Sequence, residues 1–177
     1  MIWPFLATLW LSPLADAPST QAIQAAIQSL APRRVPAKRY ARIIHREARR
    51  RNIDPFLIVA FIHIESTWNP RAKSPTDDFG LTQVHVAVNG SATFLGREEA
   101  LYDPATNIRE WGRLVVMWRN YHERTCKGDD HPFWSHLKWG RRVKDTEHAD
   151  RVSVLYKNLR RRFTPRPNFV WTRRLTS

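Results

Sequence analysis

At 177 residues the chain is long enough for one domain with a full core and too short for two comfortable ones. Hydrophobic residues at 42% and eight tryptophans exclude a disordered chain, and six glycines with few alternating segments exclude an all-β fold. The net charge of +13 is uneven: residues 31–51 hold nine Lys/Arg against Glu47, and residues 138–177 hold twelve against Asp145, Glu147 and Asp150. The centre carries a slight acidic excess. Basic flanks of this kind suit a polyanionic partner, whether nucleic acid, anionic lipid or an acidic envelope polymer, and equally a solvated face. Cys126 is the only cysteine, so no disulfide can form within the chain and no cysteine-based metal site is expected.

Taken in order, residues 1–17 read as a signal peptide. "IWPFLATLWLSPLA" is an apolar run of the right length, and Ala15–Asp16–Ala17 gives a small-x-small cleavage pattern. An uncleaved anchor is the alternative, because no basic residue precedes the run. Residues 18–37, rich in Ala, Gln, Ser and Pro, read as a linker in which "TQAIQAAIQSL" can form a short helix. From Lys38, Tyr40, Ile43, Ile44 and Ala48 fall at helical spacing among arginines and predict an amphipathic helix. Asp54 and Pro55 are a cap and first-turn pair, and predict a new helix to about Ser66 that is apolar on nearly every side. Asp103 and Pro104 repeat the signal for a helix to about Tyr121. "ERTCKGDDHP" reads as a loop, "FWSHLKWG" as a short helical piece closed by Gly140, and Val152, Leu155, Leu159 and Phe163 as the buried stripe of a last helix. Residues 164–177 read as a basic tail. The expected architecture is mainly α, with a single domain over residues 38–163.

Glu65 ends the apolar helix. An acid shielded from water keeps its proton more readily and can pass it to a leaving group. The polar stretch "NPRAKSPTDDFG" then returns the chain to Gly80, where backbone can approach a ligand, and Gln83, whose amide both donates and accepts. An acid, a polar loop and a glycine–amide segment together suit a cleft for a polyhydroxylated substrate.

These residues carry a resemblance. "ESTWNPRAKSPTDDFGLTQV" is similar to the signature of the lytic transglycosylase catalytic domain, a relative of goose-type lysozyme. Glu65, Ser66, Trp68, Asn69, Pro70, Ala72, Ser74, Gly80, Leu81, Gln83 and Val84 match it, and Thr82 stands where Met is usual. "DDFGL" is similar to a variant found in transglycosylases of secretion and conjugation machines. "YDPATNIREWG" resembles a further block, through Asp103, Pro104, Asn107, Ile108 and Gly112. The family's Tyr-Asn-Ala-Gly segment, whose tyrosine lies close to the catalytic acid, is replaced by "SHLKWG".

The resemblance implies a lysozyme-like fold and cleavage of the β-1,4 bond between N-acetylmuramic acid and N-acetylglucosamine in peptidoglycan. Glu65 would be general acid and then base, giving a 1,6-anhydro product without a second carboxylate. Ser66, Trp68, Asp78, Gly80, Leu81, Gln83, His85 and Asn107 are the expected substrate-binding residues, with His136 or Trp139 filling the place of the tyrosine. No cofactor is expected. No metal is expected either, since His63 and Glu65 lie two apart and face different sides of a helix. Peptidoglycan is the expected partner, with the anionic envelope held through the basic flanks. Nucleic acid is disfavoured by the export signal, and the chain is expected to be a periplasmic or secreted monomer. A lysozyme-like hydrolase and a non-catalytic basic envelope binder are the rival readings.

Overall fold

Asp54 starts the central helix as its sequence requires. Its carboxylate accepts a hydrogen bond from the Phe56 amide at 2.9 Å, and Pro55 occupies the first turn, where no amide donor is needed. In the computed structural model, which describes residues 18–86, 94–127 and 129–164, this element is the third of six α-helices among the described residues: α1 (Thr20–Leu30), α2 (Ala37–Arg51), α3 (Pro55–Ser66), α4 (Pro104–Thr125), α5 (Ser135–Trp139) and α6 (Glu147–Phe163). A hairpin of two short antiparallel strands, β1 (Asp78–Phe79) and β2 (Val84–His85), pairs Asp78 with His85 and Phe79 with Val84. A 3-10 turn at Glu98–Tyr102 leads into α4. The chain is mainly α, as its periodicity predicts.

Helix α3 is buried from Pro55 through Ile62, which is why it lacks a polar stripe. It packs on α6, α1 and α2. Tyr156 of α6 donates a hydrogen bond to Asp54 at 3.1 Å, and the Arg160 guanidinium lies 3.2 Å from the same carboxylate oxygen. These contacts hold the later part of α6 against the start of α3. The two helices therefore run antiparallel, and the start of α6 falls beside the end of α3.

Two local features depart from the sequence reading. Residues 18–37 are not a linker: Thr20–Leu30 is a capped helix whose Ile23, Ala26 and Ile27 are fully buried against α2 and α3. Three small or branched apolar residues at helical spacing are enough to dock so short a helix once a partner face exists, and the prolines that follow only end it. Helix α4 also runs four residues further than Tyr121, to Thr125, with Cys126 as its C-cap. The expected signal peptide (1–17) and most of the basic tail (164–177) lie outside the described residues.

Gly112 on α4 has a packing reason. A Cβ there would lie 2.9 Å from Arg51 Cδ, so glycine lets the Arg51 stem cross between α2 and α4. Arg51 forms an ion pair with Glu47, itself only 3% exposed. A buried carboxylate needs such a partner.

Candidate active site

Glu65 sits in the last turn of α3, with its side chain 25% exposed at the edge of the packed helix. Thr67 ends the helix in the left-handed region, and Trp68 follows with φ 69°. This sharp exit leaves the carboxylate at the mouth of the core. The group that meets it is His148, on the first turn of α6: His148 Nε2 lies 2.8 Å from Glu65 Oε1. The approach is close but out of line for a hydrogen bond. The His148 ring in turn lies against Phe61, with centroids 6.0 Å apart. No sequence motif marks His148, because its place is set by the antiparallel packing of α6 on α3. Histidine thus occupies the position beside the acid that the resemblance would give to a tyrosine from the segment around Leu137.

The hairpin is organised by Asn107. Fully buried, its amide oxygen accepts from the Thr82 amide at 2.8 Å and the Thr82 hydroxyl at 2.7 Å, while its nitrogen donates to the carbonyls of Phe79 at 2.7 Å and Leu101 at 3.0 Å. All four hydrogen-bonding positions are filled, so Asn107 holds the 79–82 turn and has nothing left for a sugar. This corrects its expected role in substrate binding, and it explains Thr82: the hydroxyl joins the same network. Gly80 is required here twice over. Its φ is +77°, and an added Cβ would fall 2.3 Å from the Leu101 carbonyl and 2.4 Å from Asn107 Nδ2. Leu81 is wholly buried and belongs to the core, not to a binding surface.

The remaining expected residues divide. Gln83, with φ 49°, donates through Nε2 to the carbonyls of Gly80 at 2.9 Å and Ala72 at 3.3 Å; its Oε1 has no partner among the described residues. Asp78 accepts from Ser74 and Thr76, both at 2.7 Å, and its other oxygen lies 3.3 Å from His85 Nδ1. Asp78 and His85 are thus brought together on the hairpin. Ser66 donates to the Ile62 carbonyl at 3.1 Å. Trp68, 2% exposed, stacks on Tyr40 and donates its indole N–H to His63 Nδ1 at 3.3 Å, so it is core and not cleft wall. Burial holds His63 below the ordinary histidine range, and accepting the indole proton requires its neutral form.

His136 is also corrected. It is 1% exposed, stacked on Trp118 and grouped with His122, Cys126 and His131, which leaves no face for substrate. Trp139 is partly exposed and flanked by the ammonium groups of Lys138 at 4.9 Å and Lys144 at 5.4 Å. Among the described residues no hydrogen bond or ion pair joins Glu65 to the hairpin.

Comparison with known proteins agrees with this arrangement. The family described as the transglycosylase SLT domain matches residues 42–112, which run from α2 through α3 and the hairpin to the first half of α4. The chain is also similar to the membrane-bound lytic murein transglycosylase C of Shigella sonnei (strain Ss046), with 30% identity over 103 residues. That match takes in 54% of this chain and 28% of the relative's length. The chain thus spans well under half of that relative. The matched segment contains Glu65, Gly80, Gln83, Asn107 and Gly112, the residues whose geometry is described above, and over that segment the chain is similar to the catalytic domain of lytic transglycosylases.

Proposed function

We propose that the domain cleaves the β-1,4 bond between N-acetylmuramic acid and N-acetylglucosamine in peptidoglycan, with Glu65 as the single acid–base residue. The observation that carries this reading is the environment of Glu65: a carboxylate at the end of a packed helix, partly open to solvent, with a histidine rather than a second carboxylate against it. Glu65 protonates the glycosidic oxygen as the bond to the anomeric carbon breaks. The resulting carboxylate takes the proton from the muramic acid C6 hydroxyl, whose oxygen closes on the anomeric carbon to give the 1,6-anhydro sugar. Hydrolytic glycosidases need a second carboxyl about 5–9.5 Å from the acid. The acids of the intervening loop have partners of their own: Asp77 lies 3.3 Å from Lys73, and Asp78 accepts from Ser74 and Thr76 beside His85. His148 acts as a positioning residue, fixing the acid's oxygen at 2.8 Å.

The basic flanks bring the domain to the anionic envelope. Arg33, Lys38, Arg39 and Arg42 line a groove of about 660 Å³ between α1 and α2, a suitable seat for an acidic polymer. No helix among the described residues is long and apolar enough to cross a membrane. We place the protein in the periplasm or outside the cell as a monomer, exported by its N-terminal segment.

Digestion of purified sacculi by the wild type and by Glu65→Gln tests the reading. Anhydro-muropeptides from the wild type alone, identified by mass spectrometry, are the expected products. Reducing ends would instead establish lysozyme-like hydrolysis. Retained binding with no soluble product would establish a non-catalytic binder.

A further inference from the structure

We infer that His122, Cys126, His131 and His136 form a four-ligand zinc site that ties the end of α4 to α5. The sequence supplies the first pair at i, i+4, which places His122 and Cys126 on one face of the last turn of α4 once that helix extends to Thr125. His131 comes from the connecting loop and His136 from α5.

The ligand atoms all lie within 4.8 Å of one another. His136 Nε2 is 3.3 Å from His122 Nδ1, 3.4 Å from His131 Nε2 and 3.6 Å from Cys126 Sγ. A tetrahedral zinc ion with Zn–N of about 2.05 Å and Zn–S of about 2.3 Å requires N···N edges of about 3.3 Å and N···S edges of about 3.6 Å. The three separations have those lengths.

Protonation points the same way. The Gly140 carbonyl can only accept, so the 2.7 Å contact from His136 Nδ1 fixes the proton on Nδ1 and turns the Nε2 lone pair into the cluster. An outer carbonyl that sets the tautomer of a ligating histidine is the usual support of a metal site. One lone pair can take one proton, whereas three polar groups converge on it. Hydrogen bonding satisfies one of those contacts, and a cation at the centre satisfies all of them. The stack of His136 on Trp118 and the edge of Tyr121 leave its ring little freedom to turn away.

Three imidazoles and a thiolate select zinc over magnesium or calcium, which take oxygen ligands. Four protein ligands close the coordination sphere, so the ion is structural and activates no water. Its effect is to fix α5, the segment "SHLKWG" that departs from the family pattern, against α4. The site is independent of the catalytic reading and stands whether or not the domain cleaves glycan.

The test uses the full chain, purified without chelator and assayed for zinc by mass spectrometry. About one zinc per chain is expected. Cobalt(II) added to the metal-free protein should give the intense visible bands of tetrahedral coordination and a thiolate-to-cobalt charge-transfer band. Cys126→Ser should abolish that band, and Cys126→Ser and His131→Ala should each weaken zinc binding by more than about 100-fold. His45→Ala, away from the cluster, should bind as the wild type does. Circular dichroism in the far ultraviolet checks that each variant is folded, and His131 lies in a partly exposed loop outside the helices. Less than about a tenth of an equivalent in wild type exposed to excess zinc overturns the site. So does an octahedral cobalt spectrum, or wild-type affinity in Cys126→Ser.

Discussion

Replacing Asn107 by alanine tests whether this residue organises the hairpin or binds substrate. The substitution leaves the Thr82 amide and the carbonyls of Phe79 and Leu101 without their partners in a buried site. An unsatisfied buried polar group costs about 1–3 kcal/mol, and water entering the vacated space recovers part of it. A net loss of about 3–5 kcal/mol is expected, a large fraction of the roughly 5–15 kcal/mol that stabilises a domain. For a domain of this size each kcal/mol lowers Tm by about 2–4 °C, so a fall of about 6–20 °C should appear in thermal unfolding followed by circular dichroism. Asn107→Asp is a sharper control because it keeps the shape. It retains both bonds from Thr82 but turns an acceptor towards two carbonyls, and should destabilise by a similar amount. A loss below 1 kcal/mol in both variants, with a raised KM on glycan, would refute the reasoning and return Asn107 to substrate binding.

Other expectations follow from the same contacts. His148→Gln should lower turnover on sacculi by about 10–100-fold while leaving Tm nearly unchanged, with a displaced pH–rate profile marking a positioning role; an unaltered profile and rate would remove His148 from the site. His63 titrates below the ordinary 6.5 when folded. The unfolded chain therefore binds the extra proton first, and this contribution to stability is full above about pH 6.5 and lost as pH falls through the folded value. His63→Gln should flatten the fall in urea midpoint between pH 7 and 5, and an unchanged slope would assign that fall to other groups. Asp54→Ala removes the α3 cap and strands Tyr156 and Arg160, for a loss of about 2–4 kcal/mol by urea unfolding. Tyr156→Phe should cost about 1–2 kcal/mol, and an equal loss in both variants would mean the cap itself contributes little.

The sequence alone determined the helices and the position of the acid. Asp54–Pro55 and Asp103–Pro104 are local start signals, and the apolar runs behind them allow only a buried helix or an amphipathic one, so α2, α3, α4 and α6 are legible without any tertiary information. Glu65 was legible for the same reason, as the charged end of a segment with nowhere else to place a charge. Only the tertiary structure decided what surrounds that acid and what the other motif residues do. His148 reaches Glu65 because α6 runs antiparallel to α3, a pairing of residues 83 positions apart that no local pattern encodes. Asn107, Trp68 and Leu81 look alike in a motif, yet burial and filled hydrogen bonds make them supports rather than ligands of the substrate. Residues 18–37 read as a linker because a short helix is marginal in isolation, and packing on α2 and α3 supplies what its own sequence lacks. The cluster around His136 was hidden for a related reason. Its four members span fifteen residues of helix, loop and helix, and they converge only because α5 folds back onto the last turn of α4.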